Sequence, residues 1–334
     1  MRLACMSAFA FDHEQQGEAD GQTIRSPLNL VHADPVMTAY RQNLPLPPDA
    51  CHMLGDAIRH VFSAPGSLIR MRIANQLAIS FGMEAQAALD AATALEYFHT
   101  ASLIFDDLPC MDDASERRGA ACVHRVFGEH EAILAALALI NRAYALAWKA
   151  LAHGSLAAHT PAMEYLERML GLSGLLSGQS RDLNFCSNTA TAQAITLVAQ
   201  EKTVSLIRLS LVWPALAAGA GNRELQLLER ISLYWGLAYQ AADDLKDVLA
   251  TSAENGKTAA RDALLERPNL AIQIGTHAAF ARLERLLALG DGFFQALLLR
   301  HSSLGFLEQL RYGLNSDIAR LRTYVCDAQP GAGI

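Results

Sequence analysis

The segment from Glu84 to Asp107 constrains the fold most. It runs without a Gly or Pro, is rich in Ala and Leu, and has apolar residues on nearly all sides. A helix of this kind is stable only when other elements surround it, so a buried central helix is predicted here. Composition agrees: 51% of the residues are hydrophobic with Ala and Leu dominant, while aromatic residues make up 7%, a bias towards helix over strand. Further helical patterns run over about 129–153, 161–180, 190–219, 223–249 and from about 258 to the C-terminus, with breaks near Pro268 and Gly290. No β-alternation, sustained heptad or internal repeat is visible. The expectation is an all-α chain, with one large helical domain around a central apolar cavity over residues 36–334. Residues 1–35 mix Gly, Gln, Asp and Ser without periodicity and read as a mobile N-terminal arm.

The formal net charge of −7, with no basic patch, argues against nucleic acid as a partner. Six cysteines are scattered without paired spacing, as free thiols are in a reducing compartment. No signal-like N-terminus and no run of about 18 uninterrupted apolar residues is found. A cytoplasmic protein with no transmembrane segment is expected.

At the end of the central helix five acidic residues, Asp106, Asp107, Asp112, Asp113 and Glu116, fall within eleven positions, followed at once by Arg117 and Arg118. So much like charge calls for a counterion. Hard oxygen ligands suit Mg²⁺, which normally shares its coordination with substrate phosphates. The adjacent guanidinium forks suit the same phosphates. On an ideal helix Asp106 and Asp112 would lie about 120° apart, but Pro109 between them breaks the helix and lets the chain turn Asp112 back towards Asp106.

A second cluster, Asp243-Asp244 with Asp247, lies on a helical pattern. Asp243 and Asp247 are about 40° apart on one face, with Gln240 on that face one turn earlier. Two carboxylates side by side on an otherwise apolar helix are costly unless a cation sits between them. A Mg²⁺ site shared by the two clusters is the economical explanation.

These pieces resemble the trans-isoprenyl diphosphate synthases. Asp106-Asp-Leu-Pro-Cys-Met-Asp112 with Arg117-Arg-Gly119 is similar to the family's first aspartate-rich motif in its longer form, and Gln240-Ala-Ala-Asp-Asp-Leu-Lys-Asp247 to the second. His99-Thr-Ala-Ser102, Phe127-Gly-Glu129, Gly178-Gln-Ser-Arg-Asp182, Lys202-Thr203 and Gly256-Lys257 occur in the matching order. The resemblance implies helices around a deep cavity, with the two motifs facing each other at its mouth. It implies three Mg²⁺ ions held by Asp106, Asp112 and Asp243, with Asp107, Asp244 and Asp247 supporting them. It also implies an allylic diphosphate gripped by the metals, Arg117, Lys202 and Lys257 beside Thr203 and Gln240. Isopentenyl diphosphate would sit against Arg70, His99 and Arg118, and the enzyme would be a homodimer. In the family, bulk just upstream of the first motif sets product length. Ala101 and Ser102 are small, which implies a twenty-carbon product, geranylgeranyl diphosphate, made from a farnesyl primer.

The chain departs from the family at Gly66-Ser-Leu-Ile-Arg70, where Ser67 and Leu68 replace a lysine and an arginine. Fewer charge-assisted contacts weaken the grip on a diphosphate. Three readings stand side by side: a geranylgeranyl diphosphate synthase with an altered isopentenyl site, a terpene cyclase or irregular prenyl-coupling enzyme on the same scaffold, and a regulatory subunit of a prenyl synthase dimer.

Overall fold

The computed structural model describes residues 34–154, 156–186, 191–249 and 267–327. The N-terminal arm expected over residues 1–35 lies almost wholly outside the described residues, as does Lys257. Helices dominate, as expected. The first are α1 (Pro35–Gln42), α2 (His52–Ser63), α3 (Ile69–Ser80) and α4 (Ala85–Asp106), followed by a short hairpin pairing Glu116–Arg117 with Ala120–Ala121. After α5 (Val123–Phe127) come α6 (Glu129–Ala152), α7 (Leu156–Leu170), α8 (Leu175–Leu183) and α9 (Ala192–Ala199). A π turn, Gln200–Val204, joins α9 to α10 (Ser205–Ala217), and α11 (Asn222–Leu249) follows. The C-terminal part adds helices Leu270–Ile274, Thr276–Leu298 and Glu308–Asp327.

The central helix predicted from the sequence is α4. The Glu84 side chain caps its first turn, accepting from Ala87 N at 3.0 Å, and nearly every residue from Ala87 to Ile104 is buried. It lies against α3 and α6. Its small residues, among them Ala88, Ala91 and Ala94, and those of α6, among them Ala132, Ala135, Ala136 and Ala143, have no exposed surface. Such positions let helix axes approach closely, so the interior is Ala-rich by design of the packing and not by helix propensity alone.

Two expected boundaries move. The stretch 161–180 divides into α7 and α8 around Gly171 and Gly174. Gly290 does not break a helix but lies inside Thr276–Leu298, where a Cβ would come within 2.3 Å of the Trp235 ring on α11. Its glycine serves a close helix approach, which a sequence pattern reads as a stop.

The α6 helix is long and apolar enough by length and composition to cross a membrane. The sequence search asked for an uninterrupted apolar run and so passed over it. Its inner face is packed into the fold, while Ile133, Leu134, Leu137, Tyr144 and Trp148 are exposed along the outer face.

Candidate active site

The last turn of α4 delivers Asp106, and Asp107 closes it, donating its N–H to Leu103 O at 3.0 Å. Pro109 cannot continue the helix, and the chain doubles back: Asp112 N donates to Asp106 O at 2.9 Å, Asp113 N to Leu108 O at 3.1 Å and Ala114 N to Asp107 O at 3.2 Å. The turn that the sequence required is therefore made, and Asp106, Asp107 and Asp112 are all buried. Burial pushes the Asp106 carboxyl up to about 7, with nearby Asp112 adding to the rise against a counteracting pull from Lys202. Oδ2 of Asp106 is buried without a hydrogen-bond partner among the described residues.

Arg117 and Arg118 point in different directions. The Arg117 guanidinium clamps the Asp107 carboxylate, Nε lying 2.9 Å from Oδ1 and 3.2 Å from Oδ2 with Nη2 also on Oδ1. It thus neutralises an aspartate instead of standing open for a phosphate. Arg118 and Gly119 form the hairpin turn with φ of +55° and +78°, the signs a tight two-residue turn needs. That turn throws Arg118 back towards α3 and α4, where Nη1 donates to Pro65 O at 2.6 Å and Nη2 lies 3.8 Å from Glu96 Oε1.

Arg118 there joins the other residues expected to hold isopentenyl diphosphate. Arg70 Nη1 donates to His99 Nε2 at 3.0 Å. Burial, then the field of Arg70, hold His99 well below the usual histidine range, so the imidazole is neutral and carries its proton on Nδ1. Glu96 is buried on the same face of α4 as His99, and burial raises its carboxyl despite Arg118 and Arg70. Ser67 is half-buried. Leu68 is buried at the N-terminus of α3 with φ of +52°.

Lys202 lies in the π turn, a local widening of the helix that often marks functional sites. Its side chain has no exposed surface, and Nζ contacts Asp182 Oδ2 on α8 at 2.7 Å. Gly178 on α8 makes this approach possible, because a Cβ there would lie 2.4 Å from Lys202 N. The next residue, Thr203, donates through Oγ1 to Gln240 Oε1 at 2.8 Å. Gln240 Nε2 donates to Asp244 Oδ1 at 2.7 Å, and Asp244 Oδ2 accepts from Leu270 N at 2.8 Å. Asp244 thus fastens α11 to helix Leu270–Ile274. Asp243 and Asp247 are half-buried, and Lys246 Nζ lies 3.9 Å from Asp243 Oδ1.

An apolar cavity of about 340 Å³ opens beside Asp106. Phe98, Ser102, Phe105, Met111, Ile140 and Tyr144 are among its lining residues. Ser102 faces it as expected, whereas Ala101, one position away and hence about 100° round the helix, is buried in the core and not in the wall. The sequence reading considered only the small Ala101 and Ser102 as setting the size of this space. Phe98, one turn before Ser102, and Tyr144 on α6 in fact meet edge to face with centroids 4.9 Å apart. The i, i+4, i+8 spacing of Phe98, Ser102 and Asp106 was the available signal for the first of these.

Sequence reasoning also missed Arg267 as a site residue. It is buried with Nη2 3.2 Å from Asp112 Oδ1 and Nη1 3.1 Å from Asp182 O.

Among the described residues no three His, Cys, Asp or Glu side chains already form a metal cage. A divalent cation nevertheless fits the chemistry of the Asp106 corner: a buried carboxylate oxygen lacks a donor, and the acid is driven towards its neutral form. Asp106 and Asp112, tied backbone to backbone, would hold such an ion.

Comparison with known proteins gives the family. A family model described as polyprenyl synthetase matches residues 51–289. Geranylgeranyl diphosphate synthase of Pantoea ananas is 35% identical over 246 residues, 73% of this chain and 80% of the relative. Geranylgeranyl pyrophosphate synthase 12, chloroplastic, of Arabidopsis thaliana is 34% identical over 67% of this chain and 64% of its own length. Among solved structures, an FPP/GFPP synthase from Zymomonas mobilis aligns with a TM-score of 0.69 and 25% identity, covering 84% of this chain and 95% of that one. A geranyltransferase from Helicobacter pylori, complexed with magnesium and isoprenyl diphosphate, aligns with a TM-score of 0.68 and 25% identity over 88% and 99%. The chain belongs to the polyprenyl synthetase family of prenyltransferases.

Proposed function

We propose that this chain condenses an allylic diphosphate, farnesyl diphosphate, with isopentenyl diphosphate to give geranylgeranyl diphosphate. The observation that carries the reading is the position of Asp106: a buried acid short of a cation, set at the edge of an apolar cavity that continues along α4. Mg²⁺ bound at Asp106, Asp112 and Asp243, supported by Asp107, Asp244 and Asp247, supplies the charge stabilisation for a departing diphosphate. Lys202 adds positive charge close to Asp106. Lys257 and Thr203 are proposed to complete the diphosphate contacts.

The apolar wall from Phe98 to Met111 keeps water from an allylic cation. Arg70, Arg118 and neutral His99 orient the isopentenyl diphosphate beside the allylic cation; its double bond attacks the cation, and the tertiary cation so formed loses a proton to the departed diphosphate, which restores a double bond in the lengthened product. Arg117 acts through Asp107, which it holds in place. The small Ser102 leaves room for a twenty-carbon chain. The exposed apolar stripe of α6, with Trp148 at 63% exposure and Leu172 beyond it at 83%, supports a homodimer covering that face.

The test is incubation of purified protein with Mg²⁺ and farnesyl diphosphate, with and without labelled isopentenyl diphosphate, followed by mass analysis. A twenty-carbon diphosphate is expected, and neither D106A nor D243A should form it. A hydrocarbon released without isopentenyl diphosphate would instead establish a cyclase, the reading that uncharged Ser67 and Leu68 favour.

A further inference from the structure

Arg267 joins parts of the site that no other described side chain joins so directly. Its Nη2 donates to Asp112 Oδ1 at 3.2 Å and to Met111 O at 3.3 Å, both in the first aspartate loop. Its Nη1 donates to Asp182 O at 3.1 Å and lies 3.9 Å from Asp182 Oδ2, the oxygen that Lys202 Nζ contacts at 2.7 Å. The result is a row of alternating charge, Asp112, Arg267, Asp182 and Lys202, in which every side chain is at most 7% exposed.

The backbone beside Arg267 is fixed from the second aspartate motif. Asn269 Nδ2 donates to Asp244 O at 3.1 Å, and Leu270 N donates to Asp244 Oδ2 at 2.8 Å. Asn269 Oδ1 in turn caps helix Leu270–Ile274 by accepting from Ile272 N at 3.0 Å. The guanidinium is therefore held against Asp112 by a scaffold that begins at Asp244. A planar fork can contact the first aspartate loop and α8 at once, whereas an ammonium presents a single point of charge.

We propose that Arg267 is a positioning residue that serves as the internal counterion of Asp112, and that divalent metal competes with it for that carboxylate. The inference rests on the reading that Asp112 ligates metal. Metal alone drawing Asp112 away would leave the guanidinium with only the Asp182 carboxylate, which Lys202 already holds, and a buried charge left with too little compensation is unfavourable. A diphosphate arriving with the metal offers that guanidinium a new anion. Metal and diphosphate should then bind weakly apart and strongly together, and the coupling is reciprocal.

The test uses the full-length protein, Mn²⁺ as the metal probe, and electron paramagnetic resonance of free Mn²⁺, with and without inorganic pyrophosphate. Wild type is expected to bind Mn²⁺ weakly alone and more tightly with pyrophosphate. R267Q removes the competing charge and should bind Mn²⁺ alone about tenfold more tightly, with a smaller gain from pyrophosphate. R267K keeps the charge but loses the two-sided fork, and should fall between them; it also carries the test if R267Q does not fold. Unchanged Mn²⁺ affinity and an undiminished pyrophosphate effect in the folded variants would overturn the proposal. D112N separates the two levels of argument. If it leaves Mn²⁺ binding intact, the assignment of Asp112 as a ligand fails and the proposal with it; if D112N abolishes binding while R267Q and R267K match wild type, only the role of Arg267 fails.

Discussion

Replacing Asp106 by asparagine removes its charge and keeps its shape, and the consequence for stability follows from its surroundings. In the folded chain burial raises this carboxyl from 3.8 to about 7. Below pH 3.8 the acid is protonated whether the chain is folded or not, so its contribution is fully present there. Between that value and about 7 the folded state keeps a proton that the unfolded state has released, and stability falls as pH rises. Above about 7 the loss is complete. A rise of about 3 units at about 1.4 kcal/mol each sets an upper limit of about 4 kcal/mol. Asparagine has no such dependence. Urea unfolding of EDTA-treated protein should therefore show D106N gaining on wild type steadily from pH 4 to pH 8, by up to that amount. Saturating Mg²⁺ should narrow the gap at high pH, because it stabilises the ionised folded form. Parallel stability curves for the two proteins across this range would refute the claim that Asp106 is buried short of a cation.

Two further substitutions probe neighbouring parts of the site. Gly178→Ala would place a Cβ 2.4 Å from Lys202 N and 2.7 Å from Glu201 C, both backbone atoms, so the π turn must shift. About 1–3 kcal/mol of destabilisation is expected from thermal unfolding, together with a large fall in turnover, and an unchanged melting temperature and rate would show that the turn tolerates the methyl. Ser102→Phe fills the cavity one turn beyond Phe98 and should shorten the prenyl product; an unaltered product mass would mean that Ser102 does not bound the growing chain.

Local rules made part of this site legible in the sequence. The return of Asp112 to Asp106 followed from a proline between aspartates with an awkward helical spacing, a constraint settled within a few residues. The burial of α4 followed from apolar residues all round it. Periodicity also placed Gln240, Asp243 and Asp247 on one face of the helix and left Asp244 without a role of its own. It could not reveal that Asp244 would be consumed in holding Leu270 N, because nothing in a helical wheel names the partner on the other side. Arg117 shows the same limit at short range. Adjacent carboxylates and guanidiniums look alike as a phosphate grip and as internal ion pairs, and only the hairpin turn decides that Arg117 meets Asp107 while Arg118 meets Glu96.

Arg267 marks where local reading stops altogether. Its carboxylate partner Asp112 is 155 positions away in the chain, and a single arginine before a proline has no periodic or motif signature. Its placement depends on Asp244, Asn269 and the start of helix Leu270–Ile274, three features that are individually readable and acquire a common purpose only when the fold brings α11 and the first aspartate loop to the same place. The acidic residues that proclaim a metal site in the sequence are thus accompanied by cations that do not: Lys202, Arg117 and Arg267 each neutralise a carboxylate before any ion arrives. A buried cluster of aspartates has to fold in the absence of its metal, and these cations lower the cost of doing so. On the proposal for Arg267, its pair with Asp112 would then resist the metal, and a substrate that carries its own negative charge would relieve that resistance, tying metal occupancy to the presence of diphosphate.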